Sequence, residues 1–132
     1  MNILEKLTDR WHEIKYPFLI HSTGSLRFSE IVKQNSVDLS EVKSGDVVAL
    51  IGDFDPQSIL TLIQLIDKNV ILVPLTADTR SQHQYFFESA LVDVVIEGNE
   101  VKRINHSLEH KFVDLLRLKE HAGLVLFSTG TT

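Results

Sequence analysis

Apolar residues fall into short continuous runs separated by amphipathic stretches, the spacing expected of a parallel sheet and its covering helices. Val47-Val48-Ala49-Leu50-Ile51, Val70 to Val73 and Val92 to Ile96 do not alternate with polar positions. Strands buried on both faces read this way. Between the first two runs, Asp55 and Pro56 supply an N-cap and a first helical residue, and Ile59, Leu62, Ile63 and Ile66 form a helical stripe. Pro74 is predicted to close the second strand. Ser81 to Leu91 then reads as a helix, with Tyr85, Phe86 and Ala90 packing inward. Gly98-Asn99 turns into a short antiparallel partner, Val101 to Ile104. A fourth apolar run, Gly123 to Phe127, predicts a further strand buried on both faces. The order strand, helix, strand, helix, strand defines an α/β fold, a mostly parallel sheet flanked by helices and joined by right-handed crossovers.

The N-terminal third is built differently. Asn2 is placed to cap a helix carrying Ile3, Leu7, Trp11 and Ile14, stopped by Tyr16-Pro17. Phe18 to His21 reads as a strand, Ser22 to Ser25 as a turn and Leu26 to Phe28 as the partner strand. A short helix starts at Ser29-Glu30, and Asn35 to Glu41 is polar and irregular. No linker, repeat or low-complexity segment divides residues 1–132, which read as a single α/β domain.

Composition narrows the function. The 132 residues carry a net charge of −5 without a basic stripe, which argues against a nucleic-acid partner or a polybasic membrane patch. There is no cysteine, so neither a disulfide framework nor a thiolate site is available. No apolar run reaches membrane-spanning length and no basic-then-apolar leader opens the chain, so a cytoplasmic location is expected.

The end of the chain carries the clearest chemistry. After Phe127 come Ser128, Thr129, Gly130, Thr131 and Thr132, only hydroxyls and one glycine. Such a run suits a loop whose backbone N–H groups converge on an anion, with Gly130 free to take a positive φ and the hydroxyls adding donors. By itself it fits a polar turn ending a strand better than a phosphate loop. Leu126-Phe127-Ser128-Thr129-Gly130-Thr131-Thr132 resembles the start of the phosphate loop of adenylate-forming enzymes, the superfamily of acyl-CoA synthetases, peptide-synthetase adenylation domains and luciferases. The family loop closes with Gly-x-Pro-Lys, which has no counterpart here. Earlier segments match in order: Leu26-Arg27-Phe28-Ser29-Glu30-Ile31, then Gly45-Asp46-Val47-Val48-Ala49, then Lys68-Asn69 before the Val70 run and Pro74-Leu75. Asn69 stands where the family has glycine.

The resemblance implies an AMP-forming ligase that activates a carboxylic acid with ATP and Mg2+ and passes the acyl group to a thiol such as coenzyme A. Ser128, Thr129, Gly130, Thr131 and Thr132 would contact the ATP phosphates, and no catalytic residue or metal ligand of the family matches in this chain. A chain stopping inside a phosphate loop reads as the N-terminal fragment of a longer synthetase, inactive alone and prone to self-association through exposed sheet edge. The alternative is a complete small α/β binding or interaction module without catalysis.

Other groups carry less. His106-Ser107-Leu108-Glu109-His110 fits an inverted zinc-protease pattern, yet its surroundings are polar and turn-rich, and a solvated loop is expected instead. Asp53, Asp55 and Asp78 follow predicted strand ends, where Asp55 is expected to cap a helix rather than hold magnesium. His12, His21 and His83 read as surface or packing residues. Trp11, Phe18, Phe28, Tyr85, Phe86 and Phe87 read as core.

Overall fold

A computed structural model describes residues 2–21, 24–34, 36–53, 55–104 and 111–127. In chain order these form α1 (Ile3–Trp11), β1 (Leu19–His21), β2 (Gly24–Leu26), α2 (Phe28–Ile31) and β3 (Val47–Ile51). Then follow α3 (Pro56–Asp67), β4 (Ile71–Leu75), a 3₁₀ turn (Ala77–Gln82), α4 (His83–Ala90), β5 (Val94–Glu97), β6 (Glu100–Arg103), α5 (Lys111–Leu118) and β7 (Gly123–Leu124). The main sheet has the order β6-β5-β3-β4-β7, in which only β6 runs antiparallel to its neighbour. The chain is therefore an α/β protein with a mostly parallel sheet, while β1 and β2 form a separate antiparallel ribbon.

Each face of the sheet has its own core. Val48, Leu50, Leu72, Val94 and Ile96 pack with Leu65 and Leu62 of α3 on one side. Ala49, Ile51, Val73 and Leu75 pack with Phe86 and Ala90 of α4 and Val113 of α5 on the other. β4 lies on one side of β3 and β5 on the other, while α3 and α4 lie on opposite faces. The two crossovers therefore share one hand. α3 is buried more widely than its predicted stripe, with Leu60, Thr61 and Leu65 enclosed, because α1 and α2 cover its outer side. Asp67 at the end of α3 reaches across to α1, its carboxylate accepting from the free N–H groups of Ile3 (2.7 Å) and Leu4 (3.1 Å).

Three expectations need correction. The partner of β1 is Gly24–Leu26 rather than Leu26 to Phe28. Phe28 instead opens α2, buried against Phe18 with ring centroids 5.0 Å apart, and the Arg27 N–H is held by the Glu30 carboxylate. Tyr85 is 66% exposed, because His83, Phe86 and Ala90 at helical spacing already define the inner face of α4. The Gly123 to Phe127 run is not buried on both faces. It lies at the sheet edge with Val125 and Phe127 against the core, while Leu124 (60%) and Leu126 (69%) are exposed.

The amino-terminal edge of the sheet is tied by charged groups. Asp93, just before β5, accepts from the Val47 N–H (2.8 Å) and from Arg117 of α5 (2.9 Å). Arg117 Nε donates to the Gly45 carbonyl (2.7 Å), and Gly45 needs its lack of a side chain twice over. Its φ is +87°, and a Cβ there would lie 3.1 Å from Arg117 Cγ. Arg103 of β6 pairs with Asp46 (2.6 Å) and donates to the Glu41 carbonyl. Asp93→Ala is expected to destabilise the protein by about 2–3 kcal/mol, because a backbone donor and a guanidinium lose a charged acceptor together. Asp93→Asn, which keeps one acceptor, should cost clearly less in a urea titration of both variants.

Candidate functional site

The carboxyl edge of the sheet gathers the ends of β3 and β4, the first turn of α3 and the end of β7. α3 begins hard against β3. The Gly52 N–H donates to the Leu75 carbonyl (3.0 Å), and a Cβ on Gly52 would sit 2.3 Å from Ser58 Oγ, so only glycine allows this approach. Asp55 caps the helix as expected, accepting from Ser58 Oγ (2.6 Å) and the Ser58 N–H (3.2 Å), with Pro56 following in the first turn. Burial by itself would raise the Asp55 carboxyl, but the Ser58 hydroxyl and backbone N–H outweigh it and hold the group below its ordinary value.

Pro74 does not close β4, which runs on through Leu75. Hydrogen bonding explains both its tolerance and its effect. Ile71 donates to Asp46 and Leu75 accepts from Gly52, so the odd positions of β4 bond toward β3. Leu72 accepts from Val125 (2.7 Å), so the even positions bond toward β7. In a parallel ladder the next donor to β7 would be the N–H of residue 74, which proline lacks. The β4–β7 pairing stops there, and the chain leaves the sheet after Val125. Phe127 packs against the core on the α4 face of the sheet, its ring stacked on Phe86 with centroids 4.2 Å apart. A small apolar slot of about 230 Å³, lined by Leu50, Ile59, Leu62, Pro74 and Leu126, flanks the departing segment on the α3 side.

The predicted phosphate-contact residues Ser128, Thr129, Gly130, Thr131 and Thr132 lie outside the described residues, as does the His106–His110 pattern. The described residues just before Ser128, Val125 to Phe127, lie at the carboxyl end of β7. Asp53 and Asp78 are exposed and converge on nothing with Asp55; among the described residues no group of three or more His, Asp or Glu could hold a metal ion. His12 is exposed against the Asp9 carbonyl, and the side chain of His21 lies outside the described set.

One cluster has no sequence signature, although His83 within it is packed, one of the two environments expected for it. His83 is 5% exposed, its Nε2 2.9 Å from the Thr76 carbonyl and 3.2 Å from Thr79 Oγ1. It borders a cleft of about 630 Å³ between α4 and the β5–β6 hairpin, across which Arg80 and Glu97 form a two-pronged ion pair. The hydrogen bond from Arg80 holds the Glu97 carboxyl below its usual range. Residues 51, 83, 97 and 104 meet there only through the crossover topology, so no local motif could announce them.

No family model matches the chain, and no curated protein matches it. Among the described residues, no helix is long and apolar enough to cross a membrane.

Two outcomes are expected at this edge. In Pro74→Ala the restored amide should bond to Val125 and exchange slowly with deuterium, extending β7; rapid exchange at position 74 would contradict the ladder assignment. Asp55→Ala should cost about 1 kcal/mol at neutral pH. Because the folded-state pKa of Asp55 is lowered, its contribution is complete above the ordinary carboxylate value of about 3.9 and is lost as pH falls through the folded value. The stability gap between the native sequence and Asp55→Ala should therefore close only under acid conditions.

Proposed function

We propose that this fold is the N-terminal part of an AMP-forming acid–thiol ligase of the adenylate-forming superfamily, whose phosphate loop begins at Ser128. The observation supporting this reading is positional. Leu126-Phe127, the described start of the resembling segment, follow parallel strand β7 at the carboxyl edge of the sheet, the edge where open α/β proteins hold ligands. Asn69 gives secondary support. It follows α3 with φ +58°, the left-handed conformation that the glycine of the resembling segment would supply.

On this reading the backbone N–H groups and hydroxyls of Ser128 to Thr132 hold the phosphates of ATP. A small-molecule carboxylate attacks the α phosphorus, pyrophosphate leaves, and the acyl group then passes to a thiol such as coenzyme A, in the cytoplasm. The loop contributes positioning and neutralisation of phosphate charge, which dominate chemistry of this kind. Within the 132 residues no motif matches the family's magnesium ligand, its adenine and acid pockets or its catalytic lysine. Holding half a phosphate loop in place costs about 1–2 kcal/mol for each residue ordered, which a few N–H contacts do not offset.

Titrated with ATP and magnesium in a calorimeter, the 132 residues alone are expected to bind in the millimolar range or not at all, and to form no adenylate. The full gene product, offered fatty, aryl and amino acids with ATP and magnesium, is expected to release pyrophosphate with one of them. Micromolar ATP binding by the 132 residues, or no pyrophosphate from the full product with any acid class, would overturn the reading.

A further inference from the structure

We propose that the cleft between α4 and the β5–β6 hairpin is a binding site for a small, uncharged, planar ligand that donates a hydrogen bond to His83. This site is separate from the phosphate loop and does not depend on its assignment. It reaches the carboxyl ends of β3 and β5 at Ile51 and Glu97 and runs along the sheet face to Val92 and Ile104, whereas β7 lies beyond β4 on the far side of β3.

The position is one that open sheets favour. The connection leaving β3 runs toward β4, while the chain leaving β5 turns the opposite way into β6, so the strand order diverges between β3 and β5. Ligands of doubly wound sheets sit at such divergences, outside the carboxyl ends of the strands. The volume of about 630 Å³ lies within the 300–1,000 Å³ range of small-molecule sites. Its floor is apolar, made by Ile51, Phe87, Val95 and Ile104.

The polar lining sets the ligand's charge. Two cations, Arg80 and Lys102, stand against two anions, Glu88 and Glu97. Arg80 is engaged with Glu97, and Glu88 accepts from Gln84 (2.9 Å). The lining charge cancels, so an ionic head group would lose hydration without meeting a net countercharge. A neutral body on the apolar floor incurs no such loss.

His83 sets the ligand's polarity. Carbonyl oxygens only accept, so the 2.9 Å contact with Thr76 requires Nε2 to carry the proton. Thr79 Oγ1 already donates to the same carbonyl (3.0 Å) and so accepts from Nε2. In the tautomer that carries its proton on Nε2 alone, Nδ1 is a bare acceptor, with no protein donor to it among the described residues. His83 lines this cleft whereas Thr76 and Thr79 line a neighbouring cavity, and on the proposal the ring edge opposite the threonine anchors, which carries Nδ1, serves the cleft. Phe87, its ring centroid 5.7 Å from that of His83, offers an aromatic wall beside the acceptor. A ring bearing a hydroxyl or N–H meets both demands.

Phenol is the probe and toluene its donor-free counterpart. Methyl NMR of the intact chain in slightly alkaline buffer should show phenol shifting the Ile51, Val95 and Ile104 methyls and binding about fivefold tighter than toluene. A nitrogen-15 spectrum of the histidine rings should show His83 Nδ1 unprotonated and moved by phenol but not by toluene. His83→Leu should abolish the preference while toluene binding persists. Equal affinity for the two probes, no shift at the cleft methyls, or a proton on Nδ1 would each overturn the proposal. If His83→Leu does not fold, the ring nitrogen spectrum of the unaltered protein decides.

Discussion

The Asp93 carboxylate is the contact on which the order of this sheet most depends. A parallel sheet has no hairpins to align its strands, so their starting points must be set by something other than a short turn. Here a side chain at the start of β5 accepts the first N–H of β3 and, on the same oxygen, a guanidinium from α5. The Arg117 side chain then returns to the Gly45 carbonyl in the turn leading into β3. Three chain segments separated by 24 to 72 positions are thereby brought to one point. Charge-assisted bonds of this kind are stronger and more directional than apolar contacts, which would tolerate a slipped register. Arg103 and Asp46 repeat the device one strand further out, on the antiparallel hairpin.

That arrangement divides the labour between the two edges. Structural charges occupy the amino edge, where they are largely satisfied by one another and by backbone groups. The carboxyl edge keeps its backbone ends, a capped helix start, the apolar slot and one end of the His83 cleft. The asymmetry follows from the architecture, because crossovers return every strand to the same end and leave the opposite end for loops.

The central strands were legible because burial on both faces removes alternation, and only continuous apolar runs meet that requirement. β3 matches its run residue for residue, and β4 and β5 differ from theirs by one or two positions. Gly123 to Phe127 looked the same for another reason. The run has five small or apolar residues but sits at an edge, where one face is left open; composition cannot tell a central strand from an edge strand whose outer residues are leucines. α5 escaped notice because Phe112, Val113, Leu115, Leu116 and Leu118 describe two stripes rather than one. Val113 and Leu116 face the core, while Leu115 and Leu118 are exposed. The end of α4 was hidden too: Leu91 takes φ +56°, where glycine or asparagine would have marked the stop. Of the candidate sites, the phosphate-loop run was visible because it is contiguous. The His83 cleft was not, because its members are scattered over more than fifty positions.

Pro74 shows how one residue can be misread locally and still be decisive. Counted as a strand breaker, it should end β4. Placed in the ladder, its missing donor faces β7 alone, so β4 continues against β3 while the outer strand loses its next bond. An outer strand that kept its pairing to the rim would hold Leu126 and Phe127 flat against β4 and carry the following residues along the sheet plane. Released two residues earlier, the chain leaves the ladder after Val125, and Phe127 packs on the core with its ring stacked on Phe86. On the proposed phosphate-loop reading this early departure would matter, because amides spent on a ladder cannot also face a ligand. Pro74 thus limits the pairing of a strand some fifty residues later, although nothing in their separation along the chain connects them.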